Sequence, residues 1–229
     1  MFKFSIKKTI IIVIITIILI AIIGKFVKEV STDSPIYDYT IVIDAGHGAR
    51  DGGCVGVSGS VEKDLNLEYA KTLKSLLETK NIKVIMTRTN DDELYNENAS
   101  NKKLSEMKAR ATLIKNSAPD LVVSIHMNSF PLKSVSGAKA FYRADSENSK
   151  IVADNIQKSM YYYCNIKSKI SATGDYYILN CTDYTSVLIE CGYLSNAEEE
   201  QKLLTKEYRE KLMHSVYSGI LLSFGLNYY

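Results

Sequence analysis

The chain has 229 residues, 46 % hydrophobic and 24 % charged, with a formal net charge of +2. That suffices for one domain with a sizeable core plus a short appendage, in ordinary globular composition. Residues 1–30 hold Lys3, Lys7, Lys8, Lys25 and Lys28 against Glu29, leaving 23 basic and 25 acidic residues elsewhere; a near-neutral body argues against nucleic acid as the main partner.

Lys3, Lys7 and Lys8 precede a run, residues 9–23, made almost wholly of Ile, Val and Leu. A basic stretch followed by an apolar one is the layout of an export signal. The run is shorter than the roughly 20 residues of a spanning helix. Residues 1–24 therefore read as a cleaved signal peptide or an uncleaved signal anchor. The lack of an Ala-x-Ala pattern favours the anchor, which would tie the chain to a membrane. Either reading leaves the basic end in the cytoplasm and the rest outside. Residues 25–38, with Ser31-Thr32-Asp33-Ser34-Pro35, read as a linker, and 39–229 as a single domain.

Within 39–229, Ile- and Val-rich runs predict strands at 40–44, 82–88, 121–126 and 186–190, with weaker candidates at 137–142 and 176–179. Helical periodicity predicts helices at 62–79, 104–116 and 148–163. Ala118-Pro119 stops the second of these. Ser195-Asn196-Ala197-Glu198 has the form of a capping box opening a short helix. Thr205 caps a last helix running to about Phe224. The polar stretch 89–101 reads as a surface loop. Alternating strands and helices imply an α/β fold, a twisted, mostly parallel mixed sheet flanked by helices.

Four residues carry the chemistry. His47 follows the apolar run 41–43, Glu62 opens the first helix, and His126 and Glu190 each end a strand. Either histidine alone reads as an ordinary packed or solvated side chain. Strand ends of an α/β sheet, however, converge on one edge, where ligands gather. Two imidazoles and a carboxylate make the ligand set of an open zinc site, and a second carboxylate beside it supplies a general base. Glu62 also suits a plain helix N-terminus, where the dipole favours an acid. Gly46, Gly48, Gly52 and Gly53 suit tight turns around such a site. Asp44 and Asn128 suit either strand-end roles or hydrogen bonds to the ligands. Arg88 and Arg110 suit ion pairs or substrate contact, and the tyrosines at 161–163 and 176–177 suit packing or a sugar groove. Cys54, Cys164, Cys181 and Cys191 form no C-x-x-C pair. They read as free thiols or, outside the cytoplasm, disulfides of any of three connectivities.

In order along the chain come Asp44-Ala45-Gly46-His47-Gly48, Glu62-Lys63-Asp64-Leu65-Asn66-Leu67, Thr87-Arg88, Arg110, Ser124-Ile125-His126-Met127-Asn128-Ser129 and the segment 187–196. This series resembles the zinc-dependent N-acetylmuramoyl-L-alanine amidases over about residues 39–225. The small size and apolar N-terminus look most like the germination-specific amidases of spore formers. The resemblance implies Zn2+ held by His47, Glu62 and His126, with Glu190 as the catalytic glutamate. It implies cleavage of the muramic acid–L-alanine amide of peptidoglycan, in the spore cortex, from the forespore–cortex space. In such an enzyme zinc acidifies water and polarises the amide carbonyl. A partner protein that activates the enzyme or stabilises its zinc is a further expectation, and no inhibitory plug is expected between His126 and Glu190. The chain departs from the family at Ala49 and Arg50, at Met127, expected to shape the pocket, and at Thr185. Two alternatives stand beside this reading: another zinc peptidase trimming stem peptides, and a non-catalytic wall-binding protein.

Overall fold

The computed structural model describes residues 10–20, 38–91, 94 and 98–227. Two compact units, Met1–Ile36 and Tyr37–Tyr229, divide the chain. In the first, residues 10–20 are helical, with Thr16 Oγ1 donating to the Ile12 carbonyl at 2.9 Å. No helix among the described residues is long and apolar enough to cross a membrane. Most of the linker reading and the ends of the signal reading lie outside the described residues, as do positions 92, 93 and 95–97 of the polar loop.

The second unit runs β1 (Tyr39–Ala45), α1 (Glu62–Glu78), β2 (Ile82–Met86), α2 (Lys102–Ser117), β3 (Leu121–Asn128), β4 (Lys139–Tyr142), α3 (Glu147–Cys164), β5 (Ala172–Thr173), α4 (Tyr177–Asn180), β6 (Ser186–Tyr193), α5 (Ala197–Leu203) and α6 (Lys206–Ser223). The six strands form one sheet in the order β2-β1-β3-β6-β4-β5. β1, β2, β3 and β6 run parallel; β4 is antiparallel to β6, and β5 parallel to β4. The architecture is the predicted mostly parallel mixed sheet. Parallel strands covered on both faces read as continuous apolar runs. Accordingly Ile41, Val42 and Ile43 on β1, Leu121, Val122 and Val123 on β3, and Val187, Leu188 and Ile189 on β6 are all buried.

The larger core lies on the face that holds Leu65, Tyr69 and Leu73 of α1, Val152 and Ile156 of α3, and Leu212, Val216 and Ile220 of α6. The opposite face packs Val42, Val122 and Leu188 against Ile114 of α2 and Ile178 and Leu179 of α4. That second layer corrects one expectation. Residues 176–179 do not form a strand; Tyr177–Asn180 is a helical turn that buries Ile178 and Leu179 against the sheet. A four-residue apolar run has no period that separates the two outcomes. The cap of α5 also shifts by one residue. Asn196 caps the helix by accepting from the Glu198 and Glu199 amides, whereas Ser195 Oγ accepts from the Phe130 amide. Both residues are competent caps, and the chain path selects the second. Thr205 caps α6 as predicted, accepting from the Tyr208 amide.

Candidate active site and metal centre

Because β1, β3 and β6 are parallel and adjacent, their C-terminal ends meet at one edge of the sheet. His47 lies just past β1, His126 near the end of β3, and Glu190 directly beside His126 in register on β6. Glu62 enters the same space from the first position of α1. The four residues, separated by up to 143 positions of chain, thereby face one another.

His47 Nε2 lies 3.2 Å from Glu62 Oε1, and His126 Nδ1 lies 3.0 Å from the same oxygen. The imidazole rings cross edge-on at 5.0 Å. One donor atom from each of the three falls within 4.8 Å of the others, a spacing that can hold a metal ion. Surrounding groups fix each donor. Glu62 Oε2 accepts the Cys54 amide at 2.9 Å, and Oε1 accepts the Met127 amide and the Asn66 side-chain amide, each at 3.2 Å. Asp51 Oδ1 lies 3.0 Å from His47 Nδ1, while Nε2 of the same ring faces Glu62. His47 holds φ at +61°, left-handed backbone that a non-glycine residue adopts at a cost. The His126 ring packs over Gly46, where an added Cβ would lie 2.2 Å from its Cε1.

Electrostatics separate the two carboxylates. Burial alone would raise the Glu62 pKa, but hydrogen bonds and charge from His126 and His47 hold it far below the usual carboxylate range. Burial would likewise lower the His47 pKa, yet Glu62 and Asp51 raise it above its ordinary value. Glu190 is 7 % exposed, and burial pushes its carboxyl up to about 7, the charge of Glu62 adding to the effect while His126 and His47 oppose it. Its Oε2 is buried without a hydrogen-bond partner. A proton acceptor with a pKa near neutrality suits general base and acid work.

Beneath the cluster, Asp44 on β1 accepts from Thr87, Arg110 and Ser124. Burial opposes its ionisation, but Arg110 and these hydroxyls bring its pKa down to about 2. Arg110 also pairs with Glu106 and donates to the carbonyls of Ala45 and His47. Among the described residues Arg88 meets carbonyls in place of a carboxylate: it donates to those of Ala45, Gly46, Asn90 and Lys63. Both arginines thus tie down the turn that carries His47. The Asn128 carbonyl accepts the Leu194 amide at 2.8 Å and faces Cys54 Sγ at 3.9 Å.

A cavity of about 190 Å³ opens onto the cluster, bordered by His47, His126, Met107, Tyr176, Tyr177 and Leu188. A more open hollow of about 390 Å³, around Arg143, Asp175 and Asn180, includes none of the four cluster residues in its lining. Tyr176 and Tyr177 therefore border the cluster cavity, while Tyr162 and Tyr163 are exposed on α3. Met127 is buried in the main core and does not line the cavity, contrary to expectation, because strand alternation turns its side chain away from the cavity. The four cysteines are free thiols. Sequence reasoning missed Asp51; its signal was a carboxylate four residues after His47 in a Gly-rich turn.

Residues 41–221 match the N-acetylmuramoyl-L-alanine amidase family. The germination-specific N-acetylmuramoyl-L-alanine amidase of Bacillus subtilis (strain 168) is 34 % identical over 197 residues, covering 83 % of this chain and 81 % of that one. Among solved structures, the CwlD amidase from Clostridioides difficile in complex with the GerS lipoprotein superposes with a TM-score of 0.79 at 34 % identity, over 83 % of this chain and all of that one. The catalytic domain of CwlV from Bacillus (Paenibacillus) polymyxa var. colistinus gives 0.73 at 30 %, over 82 % of this chain and 99 % of that one. The chain belongs to the N-acetylmuramoyl-L-alanine amidase family. Its activity is that of an amidase, hydrolysis of the N-acetylmuramoyl-L-alanine bond.

Proposed function

We propose that His47, Glu62 and His126 hold a catalytic zinc ion and that Glu190 moves the protons of amide hydrolysis. The observation that carries this reading is the convergence of two imidazoles and a carboxylate beside a buried carboxylate oxygen with no partner. Two nitrogens and one oxygen suit zinc and leave it an open position. When bound there, zinc supplies Lewis acidity to the scissile carbonyl and to water. Asp51 keeps His47 in the tautomer that presents Nε2. Glu190 accepts the proton of the attacking water and passes it to the leaving nitrogen of L-alanine. Met107 and Leu188 give the cavity an apolar wall beside the cluster.

The substrate is the peptidoglycan of the spore cortex, a reading supported by similarity to the germination-specific amidase of B. subtilis. A partner protein is supported by the related CwlD enzyme, solved in complex with the GerS lipoprotein. The basic and apolar N-terminal segment supports export, with the domain 39–229 acting outside the cytoplasm, in the forespore–cortex space, and held to the membrane if residues 1–24 stay uncleaved.

The test measures zinc content and digests cortex peptidoglycan with the full chain, analysing products by mass spectrometry. Bound zinc, stem peptides released at the muramic acid–alanine bond, and a folded, zinc-loaded, inactive Glu190→Gln variant are expected; full activity with stoichiometric zinc in the chain alone would count against a required partner. Shortened stems would identify a peptidase instead, and full turnover by Glu190→Gln would refute its role.

A further inference from the structure

The loop between His47 and Glu62 has a second anchor far along the chain. Glu200, on α5, is 0 % exposed. Its carboxylate accepts the Ser58 amide (2.9 and 3.1 Å to its two oxygens), Ser58 Oγ at 2.8 Å and Ser60 Oγ at 2.6 Å. Burial acts to raise its pKa, but these donors bring it below the ordinary carboxylate value. Gly56 makes room for the contact, since a Cβ there would lie 2.1 Å from Glu200 Oε1. Burying an ionised carboxylate is costly unless several donors meet it. An apolar side chain would have joined α5 to a loop without that cost.

The clamped loop is the support of the Glu62 side chain. It holds Gly52, Gly53, Gly56 and Gly59, so free of restraint it would sample many conformations. Its carbonyls cap α1: Cys54 O accepts the Glu62 amide and Gly52 O the Lys63 amide. Val61, the residue before the helix, makes no side-chain cap of its own. The Cys54 amide in turn fixes Glu62 Oε2. α5 is itself held to the body, since Tyr69 of α1 donates to the Leu203 carbonyl at 2.9 Å.

We propose that Glu200 is a positioning residue for the metal centre, clamping Ser58 and Ser60 so that the Cys54 amide and the Glu62 carboxylate keep their places. The inference rests on the reading of Glu62 as a metal ligand. Losing a group that holds a metal ligand in place weakens metal binding by roughly 10–100-fold. Glu200 acts one step further out, so the lower end of that range applies.

The full chain is titrated with zinc against a competing chelator, at a temperature where the chelated protein is fully folded by circular dichroism. Glu200→Ala should bind zinc roughly tenfold more weakly than wild type, with turnover recovering at saturating zinc. The double variant Ser58→Ala, Ser60→Ala should shift in the same direction, and Ser60→Thr, which keeps the hydroxyl, should not. If Glu200→Ala fails to fold, the serine variants decide. Unchanged zinc affinity with a lowered unfolding midpoint makes Glu200 merely structural and overturns the proposal. A Glu62→Ala variant that binds zinc as tightly as wild type sinks the ligand reading first, and this inference with it.

Discussion

Glu190 offers a measurement that isolates burial from metal chemistry. Its carboxyl is raised from 4.5 to about 7 in the folded chain, chiefly by burial. At about 1.4 kcal/mol for each pH unit, that corresponds to about 3 kcal/mol of destabilisation when Glu190 is ionised. Well below pH 4.5 the group is protonated in both states and carries no such penalty. As pH rises, the unfolded chain loses this proton first, so stability falls until the folded carboxyl has ionised above pH 7. Glu190→Gln keeps the shape and removes the ionisation. In chelated protein, the stability of the variant relative to wild type should therefore grow by about 3 kcal/mol between pH 4.5 and 8. Urea unfolding followed by circular dichroism at pH 4.5, 6 and 8 reads the difference. With a urea m-value of about 3 kcal/mol/M, the relative midpoint moves by about 1 M. A difference that stays flat with pH, or grows toward acid, would refute the idea that burial holds Glu190 neutral.

Three further perturbations address neighbouring parts of the site. Gly46→Ala puts a Cβ 2.2 Å from His126 Cε1, so the ring must move; metal content by mass spectrometry should fall while far-ultraviolet circular dichroism is preserved. Asp51→Asn weakens the hold on His47 Nδ1 and should raise the zinc Kd roughly tenfold with little change in the unfolding midpoint of chelated protein. Arg110→Met strands the buried Asp44 carboxylate and should cost about 3–5 kcal/mol in denaturant unfolding. Wild-type stability in that variant would show that Asp44 relaxes onto other donors.

The buried strands β1, β3 and β6 were legible because strands covered on both faces need unbroken apolar runs. His47, His126 and Glu190 stood out because each interrupts such a run with a polar group, and Glu62 because it opens an amphipathic helix. The α/β class followed from the alternation of periods along the chain. The sequence left undecided which strand lies beside which. β6 is distant from β3 in sequence, yet its insertion next to β3 sets Glu190 in register with His126. Burial, and with it a carboxyl pKa near 7, is a property of that packing. The turn at Tyr177–Asn180 depended on contact with the second face of the sheet, and the α5 cap on the path into it. Glu200 meets Ser58 across 142 residues, a pairing with no local periodicity to announce it. Local chemistry chose the reactive side chains and the elements that carry them; long-range contacts, whose geometry depends on chain closure, decided their neighbours and their charge.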